Sequence, residues 1–193
     1  MAFRFGLWRN DGFHEIKWKA APPLPLLPGG ARVAQEATAT RILINGETLV
    51  VANVGDSRAV ACDRAAGRAR QLSVDHEPLR EREAVERRGG VVTEIHGDVP
   101  RVDAQLATSR AFGDRQIKEH ISSGPDVTIE DVGGDGGTEL VVLASDGVWK
   151  VMSNQEAVEG HGGRPEGAVA ELVGEALDWG SEDDIACVVV RFH

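Results

Sequence analysis

From about residue 40 apolar and polar positions alternate with a period of two, and the chain reads as a succession of strands. Arg41 to Ile44 and Leu49 to Val54 flank Asn45-Gly46, a pair suited to a tight hairpin. Gly55-Asp56 turns the chain again and Arg58 to Cys62 makes a third strand, so an antiparallel meander is expected here. A loop over Asp63 to Gly67 and a short strand near Gln71 follow. Leu79 to Arg88 is expected as a charged helix stopped by Gly89-Gly90. Val91 to Ile95 and Val99 to Val102 flank His96-Gly97-Asp98 as a second hairpin, and Ala104 to Ala111 is a candidate helix. Val127 to Val132 and Thr138 to Ala144 are strands around Gly133 to Gly137. That glycine loop reads as a hairpin, because neither a helix nor the Lys-Ser/Thr of a phosphate loop follows it. Ser153-x-x-Glu156 has the capping-box form that starts a helix. Pro165 opens another, with Val169, Leu172, Val173, Ala176 and Leu177 as its apolar stripe and Gly180 as its stop. The near-continuous apolar run from Ile185 to Phe192 fits a last strand covered on both faces. Strands in hairpins, without strand–helix–strand alternation, give an α+β fold: antiparallel sheets with helices packed outside.

Residues 1 to 36 break this pattern. Phe3, Phe5, Leu7 and Trp8 alternate briefly, and Ala21 to Gly30 carries prolines that exclude helix or central strand. The stretch is expected as a divergent N-terminal arm and Pro-rich linker, with the regular domain over 37–193.

Composition narrows the function classes. A net charge of -10 argues against broad binding to nucleic-acid phosphates and suits a surface that keeps itself soluble first, or one that concentrates divalent cations. The two cysteines, Cys62 and Cys187, each sit in an apolar strand and are expected as buried free thiols in a reducing compartment. No Cys/His spacing resembles a zinc site. No apolar run approaches the roughly 18 residues of a membrane span, and no signal-peptide core is present, so no membrane association and a cytoplasmic or nuclear location are expected.

Candidate chemistry lies in the carboxylates Asp56, Asp75, Asp114, Asp146, Asp183 and Asp184. Ser145-Asp146-Gly147 follows the apolar run 140–144, and Glu182-Asp183-Asp184 precedes the last one. Carboxylates held at the ends of buried strands can face one cleft, and oxygen-only ligation selects Mg²⁺ or Mn²⁺. Read locally, the first triplet is first of all a turn and the second a solvated loop.

Five segments in order bear a family resemblance: 49–60 (LVVANVGDSRAV), 72–78 (LSVDHEP), 109–114 (SRAFGD), 143–149 (LASDGVW) with 151–154 (VMSN), and 181–185 (SEDDI). The chain from about residue 37 resembles the type 2C family of metal-dependent serine/threonine protein phosphatases, and most closely its plant members. The resemblance implies an antiparallel β-sandwich flanked by helices and a centre of two Mg²⁺ or Mn²⁺ ions per site. It implies hydrolysis of phosphoserine and phosphothreonine on proteins by a metal-bound hydroxide, with phosphoproteins as substrates and kinases as further partners. By position Asp146 and Asp183 resemble metal ligands, and Asp184 stands where the family has asparagine. Asp114 resembles the aspartate of a third, weaker metal. Asp56 and Arg58 are expected to organise a turn, and His76 to be structural. The family's Asp-Gly-His-Gly-Gly segment, which carries the bridging aspartate and a histidine acid, has no clear counterpart, and Asn10-Asp11-Gly12-Phe13-His14 is a near match only. The resemblance therefore assigns no catalytic side chain and implies an N-terminally truncated, partial catalytic domain. The alternative is a catalytically impaired phosphatase-like protein that acts by partner binding, or a truncated product.

Overall fold

The computed structural model describes residues 3–6, 14–17, 36–45, 47–133, 137–159 and 165–192. Its elements in chain order begin with β1 (Phe3–Gly6), β2 (His14–Lys17), β3 (Glu36–Ala37), β4 (Ala39–Asn45), β5 (Thr48–Val54), β6 (Arg58–Asp63) and β7 (Ala69–Gln71). They continue with α1 (Arg82–Arg87), β8 (Val92–Thr93), β9 (Arg101–Val102), β10 (Phe112–Gly113), β11 (Asp126–Asp131) and β12 (Thr138–Ala144). The last three are α2 (Asp146–Trp149), α3 (Pro165–Asp178) and β13 (Ala186–Arg191).

Two sheets form a sandwich, as the α+β expectation requires. One has the order β1-β13-β12-β6-β7 and the other β11-β5-β4-β2, with two-stranded ribbons β10-β3 and β8-β9 beside them. Pairing is antiparallel except between β1 and β13, which run parallel. Alternation along the strands makes the layers. Ala59, Ala61, Val141, Leu143, Val188 and Val190 face Ile42, Leu49 and Val51 of the second sheet. Their neighbours Val60, Leu140, Val142, Cys187 and Val189 face the other way, onto Val169, Leu172, Val173 and Ala176 of α3. The last strand is thus buried on both faces, as its apolar run demands. Both cysteines are buried and free.

The structure departs from the sequence expectations in several places. β5 and β6 do not form a meander: they belong to different sheets, so Gly55-Asp56 is a crossing between layers. β11 and β12 likewise lie in different sheets, and the glycine loop after Val132 is a second crossing rather than a hairpin; residues 134–136 of it lie outside the described residues. A helix over Ala104 to Ala111 is absent, since Asp103 and Ala104 hold positive φ of 51° and 57°. The expected helix from Leu79 is shortened to α1 because Glu81 serves as its N-cap position and turns its side chain to Ser109 and Arg110. The Ser153–Glu156 capping box forms reciprocally, with Ser153 N donating to Glu156 Oε2 at 2.8 Å and Glu156 N to Ser153 Oγ at 3.3 Å. It supports turns over 154–158 rather than a helix, and Gln155 is drawn sideways to Ala69 N and Gly67 O. Leu177, expected in the α3 stripe, is 54% exposed. Within the stretch expected as an arm, β1 and β2 pair with β13 and β4. The proline-rich run 21–30 and residues 10–13 of the near match lie outside the described residues.

Candidate metal centre

One end of the sandwich gathers the carboxylates. β12 delivers Ser145 and Asp146 there, and the chain entering β13 delivers Asp183 and Asp184. The two segments are pinned together: Ser145 Oγ donates to Asp184 O at 3.0 Å and accepts from Ala186 N at 3.0 Å, while Ser145 N donates to Ala186 O. Ser181 Oγ donates to Gly147 O at 2.6 Å. A Cβ on Gly147 would lie 2.7 Å from Asp184 O, so glycine is what lets the segments close. Trp149 Nε1 donates to Ala144 O at 2.9 Å and fixes the short helix α2 against its strand.

These contacts bring Asp146 and Asp183 to one point. Lys150 Nζ lies 2.7 Å from Asp146 Oδ2 and 2.7 Å from Asp183 Oδ2. Partial burial pulls the ammonium's pKa down, but the hydrogen bonds to both carboxylates outweigh it and hold the group above the usual lysine range. The site opens to solvent, with Asp183 and Lys150 about half exposed.

Asp56 stands at the same end, on the crossing from β5 to β6. Pairing of Ala144 with Arg58 sets that crossing beside Asp146. Burial and then the negative charge of Asp146 push the Asp56 carboxyl up to about 6. The crossing is held from beneath by buried polar groups. Asn53 donates to Gly55 O and Val74 O and accepts from Thr40 Oγ1 at 2.6 Å. Gly55 N donates to His76 Nδ1 at 2.9 Å, which leaves Nε2 of His76 to donate to Asp126 Oδ2 at 3.1 Å. His76 is buried and structural, as expected. Gly55 takes φ of 109° with Thr38 packed against it, a position only glycine fills.

Arg58 ties three of the sequence segments together. Its guanidinium grips Asp75 through Nε and Nη2, reaches Asn154 Oδ1 at 2.6 Å and lies 5.2 Å from the Trp149 ring centroid. Asp114 serves its own turn, with Oδ1 accepting from Gln116 N at 3.2 Å and φ of 37°.

Sequence reasoning expected Asp56 to organise a turn, and the structure places it in the turn between β5 and β6 beside Asp146; Lys150 was passed over. The signals were present: Asp56 lies two residues beyond the end of β5, and Lys150 caps α2 four residues after Asp146. The donor set fits a hard divalent cation in part. Asp146 and Asp183 offer oxygen atoms that already converge on one positive charge and face water. Among the described residues no group of three or more His, Cys, Asp or Glu side chains is placed to hold a metal.

Comparison with known proteins follows the same lines. The family model "Protein phosphatase 2C" matches residues 34–185. The chain is 55% identical over 156 residues to "Probable protein phosphatase 2C 58" of Arabidopsis thaliana, covering 80% of this chain and 54% of that protein. It is 56% identical over 156 residues to "Probable protein phosphatase 2C 41" of Oryza sativa subsp. japonica, covering 80% and 54%. Its fold resembles the crystal structure of serine-threonine phosphatase 2C from Toxoplasma gondii, with a TM-score of 0.70, 28% identity, and coverage of 83% of this chain and 59% of that one. The chain spans about half the length of the curated relatives it matches. No described helix is long and apolar enough to cross a membrane.

Proposed function

The chain belongs to the protein phosphatase 2C family, and from that membership we propose that it takes part in hydrolysing phosphoserine and phosphothreonine on proteins, with Mg²⁺ or Mn²⁺ held by Asp146 and Asp183. The observation that carries this reading is the meeting of the two Oδ2 atoms at 2.7 Å from a single positive nitrogen. A divalent cation held there by Asp146 and Asp183 would supply Lewis acidity. The chain's own part is positional. Ser145, Ser181 and Gly147 hold the two carboxylate-bearing segments in register, and Trp149 fixes the helix that carries Asp146. Asp56 stands at the same end of the sandwich, close enough for its charge to act on Asp146.

The test is phosphate release from a phosphothreonine peptide with excess Mn²⁺, beside Asp146→Asn and Asp183→Asn. We expect Mn²⁺-dependent release that falls by roughly a hundredfold or more in either variant, the scale of losing an electrostatic contact to a reacting group. Release that persists unchanged in Asp146→Asn overturns the assignment. A folded protein that binds Mn²⁺ and releases no phosphate overturns the catalytic reading and favours partner binding.

A further inference from the structure

The Asp146–Asp183 pair already holds a cation that the chain itself provides. Lys150 lies one helical turn beyond Asp146, and its stem reaches back to place Nζ between carboxylates 37 residues apart in sequence (183 − 146). Its backbone N–H donates to Asp146 O, so the base of the side chain is fixed while the side chain as a whole is 53% exposed. A lysine stem has four rotatable bonds and a compact, strongly hydrated head, which can leave for water at small cost.

We propose that Lys150 is a tethered counter-ion that occupies the cation position in the metal-free protein and competes with a divalent ion for the same two oxygens. The inference rests on the reading of Asp146 and Asp183 as metal ligands. Two carboxylates aimed at one point repel, and the ammonium relieves that repulsion when no metal is bound. A dication at the same point would be repelled by the ammonium instead, so uptake requires the lysine head to swing out to solvent. One residue thus has opposite effects in the two states: it steadies the metal-free site and weakens metal binding. Asp56 lies on the neighbouring crossing, and its charge acts on both cations in the same sense, so it does not remove the competition.

The experiment is calorimetric titration of the full chain with MnCl₂, together with thermal unfolding in chelator, for the parent, Lys150→Gln, Lys150→Ala, Lys150→Arg and Asp146→Asn. Removing the charge is expected to tighten Mn²⁺ binding about fivefold, the scale of one partly exposed ion pair. The same two neutral variants should melt a few degrees lower in chelator. Lys150→Arg should bind within about twofold of the parent, because the charge stays. Equal affinity in the parent and both neutral variants, with binding lost in Asp146→Asn, overturns the counter-ion and leaves the ligand assignment standing. Weaker binding in the neutral variants also overturns it. Binding that survives Asp146→Asn overturns the ligand assignment and the counter-ion with it.

Discussion

At the scale of single residues, charge and space decide what the site end can do. The carboxyl of Asp56 is raised from 3.8 to about 6 by burial and by Asp146. A folded carboxyl that keeps its proton longer than the unfolded one adds stability below its unfolded pKa and loses it as pH climbs. The contribution therefore declines between about pH 4 and pH 6 and stays low above. Asp56→Asn should raise the melting temperature at pH 7.5 in chelator, and the gain should vanish near pH 4; an equal gain at both values would show that the charge is not the cause. Gly147 makes the opposite case, where a single methyl group is harmful. Its Cβ would meet the Asp184 carbonyl at 2.7 Å, so Gly147→Ala should cost on the order of 2 kcal/mol in urea unfolding and loosen the Asp183 segment as well. Asp146 was singled out in the sequence only because five family-like segments occur in order; read locally, Ser145-Asp146-Gly147 is a turn. Lys150 was not, because a lysine on a short helix is ordinarily a solvated charge and only the arrival of Asp183 gives it a second partner.

At the scale of elements, the sequence told where strands lie but not which sheet receives them. A glycine-rich turn reports that the chain bends, and the bend at Gly55-Asp56 looks locally like any hairpin. The deciding information is distant: β6 takes β12 as its neighbour, and β5 takes β4 and β11. The same holds for the capping box at Ser153, which forms as its spacing demands yet supports only turns once Gln155 is drawn to β7. Arg58 is the strongest link between elements at this end. It joins the start of β6 to Asp75, to Asn154 and to the ring of Trp149, with most of its side chain shielded from water. A lysine keeps the charge and loses the fork and the ring contact. Arg58→Lys should therefore destabilise by about 2 kcal/mol, and Arg58→Ala by more, because the buried Asp75 charge then keeps only the hydrogen bond from Gln71 Nε2 and no cation. Urea midpoints of the two variants would check the order.

At the scale of the whole molecule, the described residues cover one sheet on both faces and the other on one. The outward residues Val127 and Ile129 of β11 are exposed, Ile129 at 70%. Stability is expected to centre on the layer shared by the sheets. Leu143, nearly inaccessible there, should cost about 3 kcal/mol on truncation to Ala, with Ile129→Thr nearly neutral by comparison. The α+β class followed from strands that come in hairpins without strand–helix–strand alternation, and the sandwich from the family resemblance. The parallel pairing of β1 with β13 did not, since Phe3–Gly6 and Ala186–Val189 meet only through the completed fold.

The two crossings between sheets leave the chain at opposite ends of the sandwich. β5 passes to β6 where Val54 and Arg58 lie, and β11 passes to β12 where Asp131 pairs with Thr48 and Thr138 with Asp63. The layers are stitched at both ends, so neither can peel away while the other stays whole. In the language of hydrogen exchange, the central strands have no private route of opening. The amides of Val51 in one sheet and Val142 in the other should lose protection together, through one shared event, and their exchange free energies should rise and fall in step as denaturant is added.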